Sequence, residues 1–201
     1  MQINVDKLKG QYIYLELLTP RHIEALRVLA KDERIWEFTK AFSIDSTFDN
    51  QFDEYITVAL DKKAMNGQQA FVIKKTADNS TIGMTRFYDI NQKDKRAAIG
   101  YTWYTPAVWG MIYNKECKLL LLSYIFEVLG YSRAEFHVAH QNIRSQKAVE
   151  KIGGLKEGEL RKFGFRNDGS VRNTVVFSII DDEWPGKKEN LIRLIAAHEN
   201  Q

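Results

Sequence analysis

Cysteine, proline and an excess of one charge are what this sequence of 201 residues has least of. A single cysteine, Cys117, leaves no internal disulfide and no cysteine-rich zinc site. A reducing cytoplasm is the simplest expected home. There are three prolines, and no Gly/Ser-rich stretch, repeat or low-complexity run. No linker is visible, so one domain over residues 1–201 is expected. The net charge is only +3, and no basic stripe interleaved with aromatics offers itself to nucleic acid. The most apolar stretch, residues 119–129, is broken by Ser123 and Glu127 and is too short for a membrane span. The first ten residues carry Asp6, Lys7 and Lys9 and do not read as a secretory signal. Neither nucleic acid nor membrane is an expected partner.

What is present is ordinary for a globular chain: 44% hydrophobic and 27% charged residues, enough to bury a substantial core. Residues 12–19 (YIYLELLT) read as a strand stopped at Thr19-Pro20, with Thr19 as N-cap of a helix over 21–30. An aromatic-rich segment, 36–52, leads into a helix expected over 49–65 and closed by Asn66-Gly67. Residues 70–75, 81–90 and 97–104 read as strands. A helix over 115–129 with a broad apolar stripe is stopped by Gly130, and a short strand covers 134–138. A helix over 144–152 is followed by a hairpin, 155–165 and 174–180, around a turn at Asn167-Asp168-Gly169. A terminal helix covers 182–197. Its Leu191, Ile192, Leu194 and Ile195 suit packing at home or across a homodimer.

This order gives an α+β, mixed α/β chain with a strand–helix–strand crossover over 97–138. That join also places loop amides at a helix N-terminus, a place suited to phosphate, with Lys115 adding charge. Periodicity alone gives no reaction.

Four stretches carry a resemblance: IGMTRFYDI (82–90), IGYTWYTPAVWGMIYNKECKLLLL (99–122), AEFHVAHQNIRSQKAVEKIGGLKEGELR (134–161) and VVFSIIDDEW (175–184). In the third, Asn142, Arg144, Ser145, Ala148, Glu150, Lys151 and Gly153 follow an N-x-R-S-x-x-A-x-E-K-x-G pattern. With these residues the chain resembles the GNAT acetyltransferase superfamily, and within it the branch of ribosomal-protein N-terminal acetyltransferase-like proteins (RimJ/RimL type). The resemblance implies a twisted mixed sheet of about seven strands with flanking helices. Its fourth strand (97–104) and fifth (134–138) would splay apart to admit acetyl-CoA, with no metal.

The resemblance also implies roles. The pyrophosphate would take the amides of Gly110, Met111, Ile112, Tyr113, Asn114 and Lys115, beside Tyr104, Thr105 and Trp109. The family loop reads Q/R-x-x-G-x-G/A; here Trp109, Ile112 and Asn114 stand at its first, fourth and last positions. A β-branched Ile112 is ill suited to positive φ, so Gly110 is expected to supply the flexibility. Asn142 would bond the pantetheine arm and Ser145 would protonate the leaving thiolate, although both residue types equally suit capping of the 144–152 helix. A backbone N–H around residues 104–107 would serve the developing oxyanion. Glu135, His137 and Tyr101 are candidates to take the amine's proton. Arg86 either holds an acidic substrate group or rides an exposed face. Asp45, Asp49, Asp53 and Glu54 would suit a polyamine acceptor or merely decorate a helix. Arg161, Lys162 and Arg166 read as a solvated face or as contacts for the CoA 3′-phosphate or an acidic partner, and Cys117 as packing. The implied activity is acetyl transfer from acetyl-CoA to a primary amine, either a protein N-terminus or a small molecule. The alternative is a binding or sensing module of the same fold without catalysis.

Overall fold

The computed structural model describes residues 3–39, 41–166 and 168–199. Asn167 of the expected hairpin turn lies outside the described residues. Eight strands form one sheet: β1 Lys7–Lys9, β2 Ile13–Leu17, β3 Gln69–Lys75, β4 Thr81–Asn91, β5 Arg96–Tyr104, β6 Arg133–Ala139, β7 Leu155–Phe165 and β8 Val171–Ile180. Their spatial order is β1-β2-β3-β4-β5-β6-β8-β7. Every neighbouring pair is antiparallel except β5 and β6, which a helix crossover joins in parallel. The sheet has one strand more than the seven expected. The Lys-Leu-Lys of β1 is too short to show a period, with Leu8 alone turned to the core, and lysines suit an edge that must not recruit further strands.

The helices are α1 Ile23–Ala30, α2 Phe48–Leu60, α3 Tyr113–Ser123, α4 Ile143–Lys151 and α5 Trp184–Glu199. Alternation along β3 shows the two covered faces. Phe71 and Ile73 join one core with Cys117, Leu121 and Leu122 of α3 and Leu191 and Ile195 of α5. Ala70 and Val72 join the other with Leu26 of α1 and Phe52 and Ile56 of α2. Two helices depart from expectation. α2 stops at Leu60 rather than Met65, because the Gln68 side chain donates to the carbonyls of Val58 and Asp61 and satisfies the helix end early. Met65 and Asn66 then turn through positive φ. α3 continues into a π-helical turn, Tyr124–Val128, which brings Tyr124, Ile125 and Phe126 into the core in succession.

α3 is anchored by a buried carboxylate. Glu116 accepts from the amides of Gln11, Tyr12 and Ile13 at 2.6, 2.9 and 2.8 Å, and so fixes the helix to the entry of β2. Burial pushes its pKa up and the amide bonds pull it back. Glu116→Ala leaves three amides without this acceptor, and urea unfolding should show a loss of about 2–3 kcal/mol or more. On the other side of the sheet, Arg133 bonds Glu157 through both oxygens and holds that carboxyl down at about 2. A depressed carboxyl contributes stability that is complete above its unfolded value of 4.5 and is lost as pH falls through about 2. Acid unfolding followed over that window should flatten in Arg133→Gln.

Candidate active site

β5 and β6 are paired only at Arg96↔Arg133, Ala97↔Ala134 and Ala98↔Glu135. β5 runs on to Tyr104 and β6 to Ala139 without meeting again. The cause lies on the other edge of β5. Between the pairs Met84↔Trp103 and Arg86↔Gly100, two residues of β5, Tyr101 and Thr102, oppose the single Thr85. Tyr101 sits in the bulge at φ +50°. A bulge bends and twists its strand, and this one turns β5 away from β6. The facing edges beyond Ala98 and Glu135 are left with backbone donors and acceptors that no strand satisfies. The Thr105 amide is spent on the Ile82 carbonyl at 2.9 Å, and Pro106 has none. Ladder alternation therefore turns the Tyr104 amide toward the gap. The Tyr104 side chain itself is buried in the core below.

The mouth of the gap is the start of α3. Gly110 takes φ +78°, and a Cβ there would meet nothing within 4 Å. Ile112 lies at φ −66° with its side chain 5% exposed and turned into the core, clear of the mouth. Among the described residues, the amides of Gly110, Ile112, Tyr113 and Asn114 have no hydrogen-bond acceptor, whereas Met111 and Lys115 donate to Val108 and Ile112. Four free amides at a helix N-terminus, under a glycine that leaves open space, fit a diphosphate. Burial, then the neighbouring Lys151, push the Lys115 pKa down.

Across the mouth, Asn142 caps α4, accepting from the Ser145 amide at 3.0 Å. The cap is real, and it leaves the Asn142 NH2 and the Ser145 hydroxyl without hydrogen bonds among the described residues. The Arg144 guanidinium stacks 3.9 Å from the Trp109 ring centroid, while the Trp109 indole donates to the Tyr104 carbonyl at 3.0 Å. These contacts tie the start of α4 to the loop before α3. On the α3 face of the gap, buried Lys118 donates to Thr102 Oγ1 at 3.0 Å, and burial pushes its pKa down. Lys118 is not among the site residues expected from the sequence, although a lysine four residues before Leu122, on the apolar stripe, is a signal that could have found it.

The opposite face looks toward α1 and α2. Glu135 sits at the last paired position, bonded by Arg133 Nε at 2.8 Å and His137 Nε2 at 3.1 Å. The Tyr101 ring lies 5.2 Å from Tyr88, which lies 6.0 Å from His137. Burial pushes the Tyr101 hydroxyl pKa up, so it stays protonated near neutrality. No hydrogen bond joins Ser145 to Glu135 or Tyr101 among the described residues: the first borders the mouth and the others lie deeper. Trp36, Phe42 and Tyr55 interlock edge to face as one wall. Several expectations change here. Arg86 is not on an exposed face but is 1% exposed. Asp49 and Asp53 are held by Arg27, and Asp45 by Thr47. Arg166 is buried and bonded to Val171 and Gln141 rather than solvated. No helix among the described residues is long and apolar enough to cross a membrane.

Comparison with known proteins gives the same architecture. The family described as "Acetyltransferase (GNAT) domain" matches residues 13–154, from β2 to the turn after α4. "Putative ribosomal N-acetyltransferase YdaF" of Bacillus subtilis is 28% identical over 89% of this chain and 97% of its own length. A GCN5-related N-acetyltransferase from Brucella melitensis superposes with a TM-score of 0.86, at 23% identity, over 97% of this chain and 87% of that one. A spermidine N-acetyltransferase from Vibrio cholerae, solved with CoA and spermine, shares the fold at a TM-score of 0.69 and 19% identity, over 88% of this chain and 99% of that one. With the family match running through the parted strands and both helices that border them, this chain belongs to the GNAT acetyltransferase family and is an N-acetyltransferase.

Proposed function

We propose that this chain transfers an acetyl group from acetyl-CoA to a primary amine, the α-amino group of a polypeptide N-terminus being the leading acceptor and a small amine the second. The observation that carries the reading is the parting of β5 and β6 beyond Ala98 and Glu135, above a helix start with four free amides. When bound, acetyl-CoA supplies an acetyl group activated as a thioester. The N-terminal preference is supported by the ribosomal designation of the Bacillus subtilis relative.

In this reading each residue has a separate task. The amides of Gly110, Ile112, Tyr113 and Asn114 hold the diphosphate, and Lys115 adds positive charge. The free edges of β5 and β6 satisfy the polar groups of an extended arm, as an added strand would. Asn142, with its oxygen committed to the cap, offers its NH2 to that arm. The Tyr104 amide is the donor best placed for a carbonyl oxygen that gains charge. The Ser145 hydroxyl holds the proton a departing thiolate needs. Tyr101, a phenol protonated at neutral pH, serves as a donor rather than a base, so Glu135 and His137 remain the route for the proton of the amine.

Calorimetry with acetyl-CoA, followed by mass spectrometry of an amine and peptide library incubated with it, tests the reading. Saturable binding and a mass gain of one acetyl group on an amine are the expected results; no binding at millimolar concentration removes it. Ser145→Ala should lower kcat by about a hundredfold or more with the KM for acetyl-CoA kept. Asn142→Ala should cost about 1 kcal/mol of stability through the lost cap and also raise that KM. An effect of Asn142→Ala on stability alone would reduce that residue to a cap, and an unchanged kcat in Ser145→Ala would remove the role of its hydroxyl.

A further inference from the structure

Arg86 is the most deeply buried cation among the described residues, and no carboxylate accompanies it. Its guanidinium lies between two tyrosine rings, 4.3 Å from the centroid of Tyr55 and 4.6 Å from that of Tyr101. Its hydrogen bonds are long and neutral: 3.3 Å to Gln68 Oε1 and 3.4 Å to the Tyr55 carbonyl. Its Nε is buried without an acceptor. A desolvated charge is expensive unless it is paired, and stacking on tyrosines offsets only part of that cost.

A second guanidinium shares this condition. Arg172, on β8 beyond the end of β6, is half-buried with its Nε likewise lacking an acceptor. In the order β4-β5-β6-β8 the two arginines stand on opposite sides of the gap: Arg86 opposes Gly100 of β5, and Arg172 lies two residues past Thr174, the partner of the last β6 residue, Ala139. The carboxylates nearby are already engaged: Glu135 by Arg133, Asp89 by Arg96, and Asp49 and Asp53 by Arg27. Two cations without counter-charge therefore look onto the face where the acceptor enters. Tyr101, 38% exposed and stacked on Arg86, is what separates the guanidinium from that face. Its displacement uncovers a planar donor edge suited to a carboxylate.

The geometry points to an anion subsite between Arg86 and Arg172, so that the acceptor is an amine that also carries a carboxylate, as a free amino acid or as a peptide with an acidic residue at its start, and not a polyamine. This rests on the acetyl transfer proposed above and narrows its acceptor.

The test uses acceptor pairs differing only in the charged group: an amino acid with its amide, and a peptide beginning with Asp with one beginning with Asn. Acetylation by the unaltered chain should favour the carboxylate member of at least one pair tenfold or more in kcat/KM, and the pair that responds identifies the source. Arg86→Gln and Arg172→Gln should each shrink that preference, through the acceptor KM and with the KM for acetyl-CoA unchanged. Should Arg86→Gln fold poorly, as a shift in melting temperature would reveal, the less buried Arg172 decides through its own variant. Equal use of both members, preference for spermidine, or a preference that survives both substitutions overturns the subsite. If acetyl-CoA does not bind at all, acetyl transfer fails. The subsite is then read alone by calorimetry with an N-acetylated amino acid and its amide, equal binding of the two overturning it.

Discussion

The structure turns on one unmet demand for hydrogen bonds. A parallel pair that begins at Arg96 and Arg133 would ordinarily zip along its whole length, but the extra residue at Tyr101 bends β5 after three rungs. Backbone groups left unpaired inside a protein must find partners. The fold holds them apart by stiff means: Glu116 pins α3 to β2, and β6 is fully occupied by β8 on its far side. The gap is thus built into the sheet and does not depend on the side chains that line it. That is why Trp109, Ile112 and Asn114 can differ from the family loop while the free amides remain.

Much of the scaffold was legible because burial on one or both faces of a strand leaves a mark in the sequence. β3 to β6 and β8 appear as apolar or alternating runs, β7 is legible only through the hairpin turn that joins it to β8, and the crossover through α3 follows from handedness and length. Three features were not legible for three reasons. β1 is an edge strand whose lysines hide it. The end of α2 is decided by Gln68, a residue beyond the helix whose side chain reaches back to it. The parting of β5 came only from resemblance, because Tyr101 is an ordinary strand residue and nothing local announces its positive φ.

The site shows the same division. The Asn142 and Ser145 pattern located the start of α4, yet cap and catalyst require the same residue types there, and the structure shows Asn142 capping. The link from Glu135 to Arg133 is local to β6, whereas its approach to Arg96 at 3.8 Å depends on strand pairing. Arg86 looked like any charged strand residue. Its burial exists only because Tyr55 from α2 and Tyr101 from the bulge close over it.

The stack of Arg144 on Trp109 has one more consequence. It joins the two elements on either side of the open end, and the indole is itself held to the strand by the Tyr104 carbonyl. Anything wider than the resting aperture must first break a contact of about 0.5–2 kcal/mol. The width of the entrance is thus set by a single ring and a single guanidinium rather than by the sheet below it.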